Sequence, residues 1–363
     1  MAPAPLALAA ALIAAGGAGW AVGGCSTPSS EIDGGDLMGA FERDAAADAA
    51  AEGGARRDGG ARADAAADAA SLRPAASAAV RPPPEGSCVA IEGQPDREIR
   101  RTLGRPACRG AQVLEWRDSE GAPRYACAYT PSGVETRAPL PLVLFFHAEG
   151  DSPTSVEKET GLRKLGATLN MTGDPAHAGF IVLALQGRSL QRGKLGAIFD
   201  AGYTGPDNVD VAAVDHFTGE LAARGLVDKA RVYALGASHG GHMAATYAMM
   251  RADRVAAFAT YGSDAPPATW SCPGPPPPAM VVYRACDAVF PCDSVERWLR
   301  ARDAIAAETS SLRLDAAARE EPNCALKNRC STLKGSSQHG RWPKPREPDI
   351  LRFLAGHALA VPR

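Results

Sequence analysis

From Arg124 onward the chain alternates short, nearly continuous apolar runs with longer stretches in which apolar residues recur at helical spacing. The runs Arg124 to Thr130, Leu140 to His147, Gly179 to Leu185, Ala230 to Gly236, Arg254 to Tyr261 and Ala279 to Ala285 predict strands. Each lacks the polar alternation of a half-exposed strand, which is the pattern of strands buried on both faces. Val156 to Leu169, Val209 to Arg224, Gly240 to Arg251, Val295 to Ala307 and Pro348 to Leu359 predict helices between and after them. Strand and helix in alternation imply crossover connections, so the expected fold is α/β, a mostly parallel sheet with helices on both faces. No internal repeat interrupts the pattern.

The N-terminal part has a different texture. Leu6 to Val22 form an Ala-rich apolar run that is short for a membrane span and ends in small residues, as the core of an export signal does. No Lys or Arg precedes it, although such signals ordinarily begin with positive charge. The run closes on Val22, Gly23, Gly24 and Cys25, followed by Ser26, and resembles the lipobox of bacterial lipoproteins. That resemblance implies cleavage before Cys25 and a lipid anchor on it, hence an exported chain held at a membrane; read instead as a plain signal peptide, the run implies a secreted chain. Residues 26–86 are dominated by Ala, Gly, Asp and Arg and end in RPPPEG. They have too few large apolar side chains to offset the entropy of ordering, so they are expected to form a flexible tether, stiffened at Pro82, Pro83 and Pro84. A single folded domain is expected over residues 87–363.

Charge and cysteine content narrow the function classes. The formal net charge is −2, and no cluster of Lys and Arg is interleaved with aromatics, so a nucleic-acid partner is not expected. Apart from Cys25 the cysteines are Cys88, Cys108, Cys127, Cys272, Cys286, Cys292, Cys324 and Cys330. An even set in an exported chain is expected to form disulfides, with the pairing left open. No Cys-x-x-Cys pair occurs, and His239 and His242 have no evident carboxylate or thiolate partner, so neither metal nor organic cofactor is expected.

The segment ARVYALGASHGGHMAATYAMM reads as strand, then Gly236-Ala237-Ser238-His239-Gly240, then helix. This is G-x-S-x-G at a strand-to-helix turn, where the serine is forced into a strained conformation and side chains at the flanking glycines would strike neighbouring backbone. The free N–H groups at the helix start favour an oxyanion, so the His239 amide is one expected donor.

Four stretches together resemble the polyhydroxybutyrate depolymerase and feruloyl esterase group of secreted α/β-hydrolases. They are PLPLVLFFHAEG, DKARVYALGASHGGHMA, YRACDAVFP and QHGRWP, within about Tyr125 to Leu359. The resemblance implies an α/β-hydrolase fold and a serine esterase acting on polyester, feruloyl, acetyl or small esters. It implies Ser238 as nucleophile, Asp287 as acid and His339 as base, in the chain order this fold requires. Asp293, the rival acid, reads as the N-cap of the next helix, and His357, the rival base, falls within the last helical pattern. Gly340 and Arg341 separate His339 from Trp342, one residue more than the group's usual spacing. Trp342 is the side chain expected to contact substrate. The second oxyanion donor is expected in the loop after His147, from the Glu149 amide or its neighbour Ala148, where the group usually has Gly in place of Ala148. Cys286 and Cys292 bracket Asp287, and a disulfide there would restrict the acid loop. A peptidase of the same fold, and an inactive hydrolase serving as a surface binding lipoprotein, remain open on the residues alone.

Overall fold

The computed structural model describes residues 78–82, 86–90, 100–101, 104–190, 198–285, 287, 289–314 and 339–360. The export-signal run, Cys25, almost all of the expected tether, and Cys286, Cys324 and Cys330 lie outside them.

The domain is organised by a sheet of eight strands: β1 (Gln112–Arg117), β2 (Pro123–Tyr129), β3 (Leu140–Phe146), β4 (Ile181–Leu185), β5 (Val227–Ala237), β6 (Ala257–Tyr261), β7 (Ala279–Arg284) and β8 (Thr309–Leu314). Their spatial order is β8-β7-β6-β5-β3-β4-β2-β1. Pairings from β8 to β4 are parallel, and β2 is antiparallel to both β4 and β1. All six apolar runs therefore form strands.

Alternate residues of β3 face opposite sides, and each side has its own core. Leu140, Leu142, Leu144 and Phe146 join one cluster with Val214 and Phe217 of helix α3 (Val209–Ala223), Met243 and Tyr247 of α4 (His239–Met250) and Trp298 of α5 (Cys292–Ala304). Val143 and Phe145 join the other with Leu162 of helix α2 (Leu162–Thr168) and with Ile350, Leu351 and Leu354 of α6 (Glu347–Ala355). Two buried faces explain why the central strands carry unbroken apolar runs. This mostly parallel sheet, covered on both sides, is the expected α/β-hydrolase arrangement.

The helices and the domain boundary depart from the sequence expectation in three places. The expected helix from Val156 to Leu169 is divided into α1 (Ser155–Lys158) and α2, with Gly161 as the N-cap of the second. The last helix ends at Ala355, and His357–Leu359 form a short strand instead. That strand pairs in parallel with Ala79–Arg81, inside the stretch expected to be tether. Arg81 Nη2 also donates to the carbonyls of Ala252 (3.1 Å) and Val255 (2.6 Å), so the ordered domain begins before residue 87. Among the described residues no helix is long and apolar enough to cross a membrane.

Among the described residues two disulfides are present, Cys88–Cys272 and Cys108–Cys127. The first joins residues 184 apart in sequence, and its buried half packs on Met249 and Ala252. Closing so long a loop removes much unfolded-chain entropy. Cys272→Ser is therefore expected to cost about 2 to 5 kcal/mol, seen by calorimetry as a fall in Tm of roughly 4–20 °C; an unchanged Tm would contradict it.

Candidate active site

Strand β5 ends at Ala237, helix α4 starts at His239, and Ser238 joins them at φ 55° and ψ −127°. A side chain in that region costs about 1–3 kcal/mol and persists only where its surroundings impose it. The surroundings are two close backbone approaches. A Cβ on Gly236 would lie 2.0 Å from the Gly240 carbonyl oxygen, and a Cβ on Gly240 would lie 2.2 Å from the Phe146 oxygen. Both glycines are thus required, for the reason the sequence pattern suggests. The turn is closed by the Ser238 N–H donating to Tyr261 O (2.8 Å) and the Gly241 N–H donating to Ser238 O (2.8 Å).

Asp287 follows the carboxyl end of β7, where it is 1% exposed. One oxygen, Oδ1, accepts the N–H groups of Val289 (2.8 Å) and Phe290 (2.9 Å), a local turn that fixes the carboxylate. Its other oxygen, Oδ2, accepts from His339 Nδ1 at 2.7 Å. That bond puts the Nδ1 proton toward Asp287 and leaves Nε2 to face Ser238 Oγ at 2.8 Å. Gly262, at φ 57°, makes room for this pair, since a Cβ there would sit 3.3 Å from the imidazole. The hydroxyl is therefore within proton-transfer reach of an imidazole whose tautomer is set by a buried carboxylate.

The rivals are accounted for. Asp293 lies in the first turn of α5 and pairs with Arg297 at 2.8 Å, while the N-cap is Pro291, so it is not the cap expected. His357 bonds to Glu308 (2.8 Å) and to the Phe353 carbonyl. His239 directs its ring to Phe199 O (2.8 Å) while its backbone opens α4. His242 does have a carboxylate partner, Asp264 at 2.9 Å, although among the described residues no group of three or more metal-ligating side chains forms.

A cavity of about 40 Å³ opens on Ser238. Ala148, His339, Gly340 and Trp342 line it, and Glu149 does not. Of the two expected positions in the loop after β3, the one at the cavity wall is thus Ala148. His147, 1% exposed, organises this loop: Nδ1 donates to Ala148 O (2.7 Å) and Nε2 accepts from Gly187 N (3.1 Å). A trans peptide directs its C=O and N–H oppositely, so the Glu149 N–H points away from the His147 ring.

Sequence reasoning missed four contributors. Asp151 and Glu159 also line the cavity. Desolvation, then the Asp151 charge and a hydrogen bond between the two carboxyls, push Glu159 up to about 7. Tyr261 and Arg284 hold the base loop: the Tyr261 hydroxyl donates to Arg341 O at 2.5 Å, and the buried Arg284 guanidinium donates both to that carbonyl and to the Tyr261 oxygen. The extra residue between His339 and Trp342 is thereby anchored rather than left to displace the histidine. Tyr261 falls inside an expected strand, where nothing local distinguishes it from a core residue, whereas Arg284 is the one charged residue of the run Ala279 to Ala285 and so carried a local signal.

Neither a protein-family model nor a curated protein matches the sequence. The fold is similar to that of a thermostable esterase, at 16% identity over 69% of this chain and 63% of that one, with a TM-score of 0.46. The chain thus spans less than two thirds of that esterase's length. It is also similar to a thermophilic esterase from the Planctomycetes species Thermogutta terrifontis, at 16% identity over 66% of this chain and 92% of that one, with a TM-score of 0.44. Likeness at this level carries no chemistry, which is argued from the residues alone.

Burial holds the His147 imidazole below its ordinary pKa, outweighing the Ala148 carbonyl and nearby carboxylates. The folded chain therefore resists a proton that the unfolded chain accepts below pH about 6.5, and stability falls as pH drops through that value. Thermal melts from pH 8 to 5 should show His147→Gln lacking this loss, so that the wild-type advantage in Tm narrows toward acid; an advantage that widens would contradict it.

Proposed function

We propose that this chain is a serine hydrolase that cleaves carboxylic esters through an acyl-serine intermediate. Ser238 is the nucleophile, His339 the general base and then general acid, and Asp287 the carboxylate that orients His339 and stabilises its cation. The observation that carries the reading is the unbroken relay from Asp287 Oδ2 to His339 Nδ1 (2.7 Å) and from His339 Nε2 to Ser238 Oγ (2.8 Å).

Ser238 Oγ attacks the ester carbonyl carbon as its proton passes to His339 Nε2. The carbonyl π electrons move onto oxygen, where backbone N–H groups receive the charge: the His239 amide at the start of α4 and an amide of the Ala148–Glu149 segment. Collapse breaks the bond to the alcohol oxygen, which departs with the proton from His339. Water then enters, gives a proton to the same nitrogen, attacks the acyl carbon and releases the acid, restoring Ser238. Each proton lost at one oxygen is returned at another, so no external reductant or oxidant is required.

The group's expected substrates, polyester of the polyhydroxybutyrate type, feruloyl or acetyl esters and small esters, are all consistent with this mechanism. Export is supported by the Cys88–Cys272 and Cys108–Cys127 disulfides, which fit an oxidising compartment. Lipid anchoring at Cys25 is the matching proposal for the N-terminus.

Ser238→Ala should lower kcat on p-nitrophenyl acetate by about 10⁴–10⁶. Asp287→Asn should lower it by about 10⁴, because the amide stabilises the wrong tautomer of His339. Spectrophotometric release of nitrophenol checks both, and wild-type turnover in Ser238→Ala would place the nucleophile elsewhere.

A further inference from the structure

The cavity beside Ser238 measures about 40 Å³, roughly a quarter of the ~150 Å³ in which an engineered apolar cavity takes up benzene. Its aromatic wall consists of Phe145, Tyr261 and Trp342. Trp342 meets the other two edge-on, with ring centroids 5.8 Å from Phe145 and 5.4 Å from Tyr261. Its indole N–H donates to Glu347 Oε1 at 2.5 Å. Glu347 is only 2% exposed, and its two oxygens also receive the Gly161 N–H at 2.7 and 3.0 Å. Glycine at position 161 permits this approach, since a Cβ there would lie 2.5 Å from Glu347 Oε2 and the carboxylate would have to shift. Swinging Trp342 aside would break a charge-assisted bond and leave a buried carboxylate short of a donor, so the wall cannot yield cheaply.

Resting on the esterase reading, we propose that Trp342, held by Glu347, is a fixed stop at the end of the acyl pocket that restricts the enzyme to acyl groups of about two carbons. The substrates are then acetyl esters, and Glu347 is a positioning residue for specificity. The order of events assigns the cavity to the acyl side. The alcohol must leave before water can attack, so it needs an open path, whereas the acyl group stays on Ser238 throughout. A walled pocket suits the group that stays. Hydroxybutyryl and feruloyl groups are both bulkier than the acetyl group that a cavity of about 40 Å³ suits.

The test compares kcat/KM for p-nitrophenyl acetate, butyrate and hexanoate, using the full chain. The wild type is expected to favour acetate over hexanoate by at least about tenfold, the scale on which a pocket rejects surplus methylenes. Trp342→Ala should bring the two esters within a few-fold by raising hexanoate. Trp342→Phe, which keeps the aromatic packing but removes the N–H, and Glu347→Gln should shift the ratio in the same direction by less. Damage to folding would lower all esters in proportion and leave the ratio unmoved, so an unmoved ratio in all three variants overturns the proposal. So does a wild type that takes hexanoate as readily as acetate. With the acetyl group constant, ethyl and butyl acetate should be hydrolysed alike, and discrimination there would put the stop on the alcohol side and overturn it too. Turnover of acetate without the length preference refutes the stop alone, whereas no turnover of any ester refutes the esterase reading along with it.

Discussion

The close approach of two backbone segments at the Ser238 turn is the constraint on which the rest of the site depends. Gly240 lies so near the carbonyls of Phe146 and His147 that no side chain fits between them. That contact brings the end of β3, the loop that follows it and the start of α4 to one point. It also holds Ser238 at positive φ, so the hydroxyl stands out from the sheet edge instead of folding back into it. The penalty of that conformation is carried by packing on both sides of the sheet, where β5 and α4 contribute Ala234, Met243, Ala244 and Ala248 to one core and β5 contributes Tyr233 and Leu235 to the other.

Around this turn the remaining groups are set by a few hydrogen bonds, some local and some between distant parts of the chain. Asp287 is fixed by the N–H groups of Val289 and Phe290 before it meets His339. The base loop is fastened through one carbonyl, that of Arg341, to Tyr261 of β6 and Arg284 of β7. The loop after β3 is fastened through the His147 ring to Gly187 and to its own next carbonyl. Each tether starts at or just past the carboxyl end of a parallel strand, the edge at which α/β sheets build their sites.

What could be read from the sequence follows from how local each signal is. The central strands were legible because burial on two faces leaves an unbroken apolar run. The two edge strands were not, because Gln112–Arg117 exposes Gln112, Glu115 and Arg117 and Thr309–Leu314 exposes Ser311 and Arg313, so neither carries an unbroken apolar run. The division between α1 and α2 falls at Thr160 and Gly161, where Thr160 Oγ1 accepts the Leu162 N–H, while the bond from the Gly161 N–H to Glu347, distant in sequence, left no local sign. Ser238 carried its own turn glycines, whereas Asp287 and His339 were named through the resemblance of YRACDAVFP and QHGRWP to the hydrolase group, and the structure brings the three together. The Tyr261–Arg284 anchor joins two separate strands, and the Asp151–Glu159 pair arises from the way the chain folds back after β3, so neither leaves such a trace.

The central claim is that Ser238 is a nucleophile activated by His339, and covalent trapping tests it most directly. The full chain would be incubated with a fluorophosphonate, and the adduct mapped by peptide mass spectrometry in the wild type, Ser238→Ala and His339→Ala. The account predicts one adduct on the peptide containing Ser238, absent from Ser238→Ala and formed far more slowly in His339→Ala. An unlabelled wild type, an adduct on another residue, or labelling that does not slow without His339 would contradict it.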